Sequence, residues 1–171
     1  MDAIASLRET LASAHWLVEE TMEGVTGEQA GWQPPGCAHP IGALYAHIVL
    51  REDGVLHELL QGKPPLAATE WAGKTGVSET PPIAGDWTVW GRKVQIDLPR
   101  LRQYAQAVYG ATDAYMAGLE PEDLGRQIDA FPGMGAQTLN WMLGQVAIHV
   151  SSHIGEVSTI KGLQGLKGYP F

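Results

Sequence analysis

Four stretches of this chain repeat apolar side chains at three- and four-residue steps, and no other feature limits the fold as much. In residues 2–23 the stripe is Ile4, Leu7, Leu11, Ala14, Val18 and Met22, and Gly24 and Gly27 are expected to stop it. In residues 41–61 it is Ile41, Leu44, Tyr45, Ile48, Val55, Leu56 and Leu59. Pro40 precedes that run, where its missing N–H costs nothing, and Gly62, Pro64 and Pro65 follow it. A third run starts near Asp97, which can cap it, and carries Leu101, Ala105, Val108, Tyr109, Thr112, Met116 and Leu119 as far as a break at Pro121. The fourth, residues 138–161, carries Leu139, Met142, Leu143, Val146, Val150, Val157 and Ile160.

Helices of this length are each about 30 Å long. Matched apolar faces must be buried against one another, so the expected class is all-α, a four-helix bundle. Strand signals are weak. Residues 62–96 read as a long irregular link holding Trp71, Trp87 and Trp90 among Gly and Pro. A link of that length makes a crossover connection between the second and third helices a candidate, and in a compact domain it is usually functional or caps an opening.

Two of the six histidines lie in the fourth helix as His149-x-x-x-His153. Residues four apart sit one turn above each other on one face. His149 and His153 fall within the stripe of Val146, Val150 and Val157, so they are expected to point inward. Buried imidazoles need partners. A metal ion supplies one for both, with nitrogen–metal bonds of about 2.0–2.1 Å; carbonyls or carboxylates are the plainer alternative. His47, beside the apolar stripe of the second helix, is the candidate third ligand. Three ligands with open positions describe a catalytic rather than a closed structural site. Glu156, three residues after His153, could hold a ligand's free N–H, bind the ion or act as a base, or simply pair with a Lys or Arg. Glu52, on an apolar face, raises the same question. His15 could line the cavity, whereas His57 and His39 read as surface residues.

Other chemistries lack their residues. There is no His-Glu-x-x-His, no Cys-x-x-Cys and no Glu-x-x-His pair of the ferritin-type di-iron centre. Gly73-Lys74-Thr75 ends like a phosphate loop, but Ala68 stands where its first glycine belongs. Cys37 is the one cysteine, so no intramolecular disulfide forms; it reads as an ordinary thiol, with a nucleophile or fourth ligand as the alternative.

The 171 residues fit one domain, 1–171, and 44% apolar with 18% charged residues is a globular composition. A net charge of −8 repels a phosphate backbone, so nucleic acid is not an expected partner. No apolar run of about 18 uncharged residues is present to span a membrane, and the N-terminus lacks a basic-then-apolar signal. The expected location is cytoplasmic.

Pro40-Ile41-Gly42-Ala43-Leu44 leading to His47, together with His149-x-x-x-His153-x-Gly155-Glu156, resembles the DinB/YfiT-like superfamily, as does the ending Gly-Leu-Gln-Gly-Leu-Lys-Gly-Tyr-Pro-Phe. The resemblance spans most of the chain. It implies a four-helix bundle with a long connection after the second helix. It also implies a divalent ion (Zn, Ni, Fe or Mn) on His47, His149 and His153, and a homodimer. Characterised members of that superfamily include thiol-dependent transferases and isomerases, which makes a small molecule and a low-molecular-weight thiol the expected partners. The leading expectation is a metal-dependent enzyme of thiol S-transfer or hydrolysis, with Glu156 tuning a ligand or moving a proton. The alternatives are a non-enzymatic metal or small-ligand binding stress protein, and a metal-free bundle whose Trp-rich link is an interaction surface.

Overall fold

The computed structural model describes residues 3–82, 87–129, 133 and 135–171. It is mostly helical. Four long helices dominate: α1 (Ala3–Met22), α3 (Ile41–Gly54), α5 (Leu98–Ala117) and α6 (Leu139–Leu163). Two short ones, α2 (Gly27–Gly31) and α4 (Thr88–Lys93), lie in the links. The strand content among the described residues is a two-residue pair, β1 (Gln127–Ile128) antiparallel to β2 (Gln137–Thr138), and an isolated bridge from Val77 to Ile96.

The expected stripes are the buried ones: Leu11, Ala14, Val18 and Met22 of α1, and Leu101, Ala105, Val108 and Met116 of α5, are all buried. Side-chain contacts give the helix directions. Arg8 at the start of α1 pairs with Asp113 late in α5 (Nε–Oδ1 2.7 Å), and Arg102 early in α5 donates to the Met22 carbonyl, so these helices run antiparallel. Lys161 at the end of α6 donates to the Thr21 carbonyl near the end of α1, so α1 and α6 run in the same direction. His47 near the start of α3 meets His149 in α6, and Val55 just after α3 shares a cavity with Met142 early in α6, so that pair is antiparallel. α3 is enclosed: Ile41 to Ala46 are all buried. Gly42 permits this, because a Cβ there would come within 3.2 Å of both the Ala30 carbonyl oxygen and Ile96 Cγ1.

Several local expectations need correction. Gly27 does not simply stop a helix; it opens α2, which Thr26 and Gln29 cap reciprocally. The second long helix is not α-helical throughout 41–61: it passes into a π-helical turn over Val55–Leu59. The third ends at Ala117, with Gly118 as its cap, before Pro121, which instead opens a 3-10 turn. Residues 62–96 are not wholly irregular, since they contain α4 and a 3-10 turn at Leu66–Ala68; residues 83–86 lie outside the described set. Asp2, expected in the first helix, also lies outside it.

Asp53 fastens the start of that link. Its buried carboxylate accepts from the Leu66 and Ala67 N–H groups (both 2.9 Å) and from the Tyr104 hydroxyl, and pairs with His57 Nδ1 at 2.7 Å. His57 is therefore not a free surface residue. Farther along, the Trp90 indole donates to the Glu79 carbonyl at 2.8 Å, and Trp71 and Trp87 pack on the core.

Candidate metal centre

α3 and α6 bring His47, His149 and His153 together. One ring nitrogen from each lies within 4.8 Å of the others. His47 Nε2 and His149 Nε2 are 3.0 Å apart. The His149 and His153 ring centres are 4.5 Å apart, and each is 4.9 Å from that of His47. His153 Nδ1 bonds Glu156 Oε2 at 2.8 Å, which leaves its Nε2 for the cluster. Glu156 is half-exposed, with 53% of its side-chain surface open.

Burial lowers the His47 pKa to about 4 and the His149 pKa to about 3, with the neighbouring His153 and Arg51 charges adding to both shifts. Both rings are therefore held neutral, the form that can donate a lone pair to a metal. The donor set fits a divalent transition ion. Three imidazoles on one tetrahedral ion place their nitrogens about 3.3 Å apart, close to the 3.0 Å between those of His47 and His149.

Two openings flank the cluster. A cavity of about 300 Å³ has His149, Arg51, Glu52 and Gln145 among apolar walls of Val55, Trp141, Met142 and Val146. A cleft of about 560 Å³ is lined by His47, Arg51, Glu58 and Trp87 among others. Arg51 borders both.

A family model for the DinB superfamily matches residues 10–157. The chain belongs to the DinB superfamily. It is similar in fold to a crystal structure of a conserved protein from Enterococcus faecalis, with a TM-score of 0.81 and 23% identity over 96% of this chain and 99% of that one. No curated protein sequence matches it. In this DinB-superfamily chain, then, the three histidines expected from sequence do converge, and Glu156 sits on one of them.

Other placements differ from expectation. His39 is not a simple surface residue: its ring stacks on Trp87 at 3.7 Å, and Trp87 in turn lies over His47 at 4.7 Å, both nearly parallel. Gly91 of α4 makes room for this stack, since a Cβ there would come within 3.2 Å of His39 Nδ1 and 3.5 Å of Ala43 Cβ. His15 does not line the metal cavity; its Nε2 instead bonds Glu52 Oε2 at 2.9 Å. Cys37 is exposed and is not part of the histidine cluster. Neither Trp87 nor Arg51 is among the site residues expected from sequence. For Trp87 the signal was only its place in the long Trp-rich link, because an aromatic residue there has no period to orient it. Arg51, one turn past His47, was findable by spacing alone.

Proposed function

We propose that this chain is a metal-dependent enzyme that uses one divalent transition ion (Zn, Ni, Fe or Mn) on His47, His149 and His153 for thiol S-transfer or hydrolysis. The observation that carries the reading is the convergence of three histidine nitrogens from two helices, two of them on rings held neutral, beside an open cavity. A divalent ion in such a site lowers the pKa of a thiol or water that binds it, so that a nucleophile exists near neutral pH.

The chain's own groups do the rest. Glu156 accepts the Nδ1–H of His153 and so fixes that ring's tautomer and direction. Its exposure suits this positioning role better than that of a base. Trp87 covers one face of His47 and keeps water from that side. Arg51, bordering both openings, draws an anionic small molecule toward the histidines. A low-molecular-weight thiol with carboxylates fits that field.

We read the architecture as a four-helix bundle. α3 and α5 are both antiparallel to α1, so the link between them must cross back along the bundle. We further propose a cytoplasmic homodimer, which would cover the exposed Ile148 and Leu163 of α6. No helix among the described residues is long and apolar enough to cross a membrane.

The test is metal analysis by mass spectrometry on untagged protein, with His47→Ala, His149→Ala and His153→Ala alongside. About one ion per chain, lost in each variant, is expected, followed by depletion of a thiol in the presence of an electrophile or by ester or amide hydrolysis. Absence of metal after incubation with all four ions overturns the reading. Stoichiometric metal with no turnover of either kind is the outcome that a non-enzymatic metal binder would give.

A further inference from the structure

The carboxylate of Glu52 is buried, with only 1% of its side-chain surface exposed, yet it stands between two openings on opposite sides of the helix layer. On one side residue Glu52 lines the cavity of about 300 Å³ that His149 also lines. On the other its Oε2 bonds His15 Nε2 at 2.9 Å, and His15 lines a second cleft of about 390 Å³ between α1 and α5. Thr112 Oγ1 donates to Oε1 at 2.7 Å and holds the carboxylate in place. The His15 ring lies flat on Tyr109, 3.8 Å between centres. Glu19 and Asp113 line the same cleft as His15, and Tyr104 and Tyr109 feel the Glu52 charge from α5.

The cavity beside His149 gives a released proton little choice. Its walls are mostly apolar, and its polar lining is Arg51, Glu52, Gln145 and His149. Arg51 is permanently charged, the Gln145 amide is not basic, and His149 Nε2 faces His47. Glu52 is the remaining acceptor among the lining residues.

We propose that Glu52 and His15 form a proton path through the helix layer. It takes the proton that a thiol or water loses in the cavity beside His149 and delivers it to the cleft on the opposite face. This rests on the metal-enzyme reading above, which requires such a proton to leave. The S–H or O–H bond breaks, its electron pair stays on sulfur or oxygen, and the proton joins a Glu52 carboxylate oxygen. The carboxyl passes it to His15 Nε2, with the ring starting as the Nδ1–H tautomer. The imidazolium then releases its Nδ1 proton to water in the second cleft, and the carboxylate is restored; the ring, left as the Nε2–H tautomer, returns to the Nδ1–H form by exchange with water in that cleft before the next proton passes. The nucleophile is made on one side and its proton leaves on the other, so the two do not recombine in the apolar cavity.

The test uses the full chain loaded with Co(II) and mixed with 2-mercaptoethanol, at a pH below that thiol's own pKa. The readout is the rate at which the thiolate-to-cobalt absorption appears. Glu52→Gln and His15→Gln are expected to slow it about 100-fold, the usual scale of a positioned proton acceptor. Thr26→Ala removes the cap of α2 and touches neither Glu52 nor His15. It is expected to lower the melting temperature while leaving the rate within about twofold. Unchanged rates in Glu52→Gln and His15→Gln overturn the path and leave the metal reading intact. Equal slowing in Thr26→Ala also overturns it, by showing that lost stability alone slows the band. Failure of the wild-type chain to take up Co(II) overturns the functional reading and the path together, whereas a loaded chain that forms no band overturns the path and the thiol-transfer reading and leaves hydrolysis.

Discussion

Acidification of the metal-free protein should destabilise it mainly through His47 and His149. In the unfolded chain a histidine titrates near 6.5; in the folded protein these two are depressed to about 4 and about 3, chiefly by burial. A depressed folded pKa means that the neutral form is favoured by folding. That stability is complete above about pH 6.5 and is lost as pH falls toward the folded values. At pH 5 the unfolded rings are almost fully protonated while the folded rings remain neutral. Each then costs about 2 kcal/mol relative to pH 7.5, or about 4 kcal/mol together. Domains are commonly stable by about 5–15 kcal/mol, so the loss is a large share of the total. Urea unfolding followed by circular dichroism, in EDTA at pH 7.5, 6 and 5, measures it. The double variant His47→Asn/His149→Asn should lose about 4 kcal/mol less over that range than the wild-type chain, because asparagine does not titrate. Parallel losses in the two proteins would refute the claim that these rings are held neutral by the fold.

Glu156→Gln should keep the ion but weaken its binding about tenfold, because the amide is a weaker acceptor for the His153 N–H; competition with a chelator reads this, and an unchanged affinity removes the positioning role. Asp53→Ala should cost about 3–5 kcal/mol in denaturant unfolding, since it strips partners from the Leu66 and Ala67 N–H groups, Tyr104 and His57 at once. A loss under about 1 kcal/mol would mean that this carboxylate does not anchor the link.

The parts legible in the sequence were those governed by a period. A spacing of four residues within the α6 stripe was enough to place His149 and His153 on one inward face, and a place beside the stripe of α3 made His47 the candidate third ligand. Asp97, read as a cap, set the start of α5 within a residue, and the apolar run from residue 138 did the same for α6. Where long-range contacts decide, the sequence was silent. Nothing local distinguishes His39 as a partner of Trp87 rather than of water, whereas His57, four residues after Asp53, was findable by spacing. Glu52 and His15 each looked anomalous on their own helix, but their pairing depends on how α1 and α3 are oriented, which no single-helix pattern encodes. The π-helical turn at Val55–Leu59 was hidden for a related reason: its stripe still reads as α-helical, and the added residue per turn is accommodated by packing against neighbours.

Gly91 gives a way to reshape the site from a distance. Because Gly91 lets α4 lie against the His39 ring, with Ala43 of α3 just beyond, the fit there sets where the His39–Trp87–His47 stack lies. A single methyl at position 91 would press on His39 Nδ1, 3.2 Å away, and so shift the stack that walls the 560 Å³ cleft while leaving every metal-facing atom chemically unaltered. For an engineer seeking to admit bulkier molecules, this position tunes the entrance without rewriting the chemistry behind it.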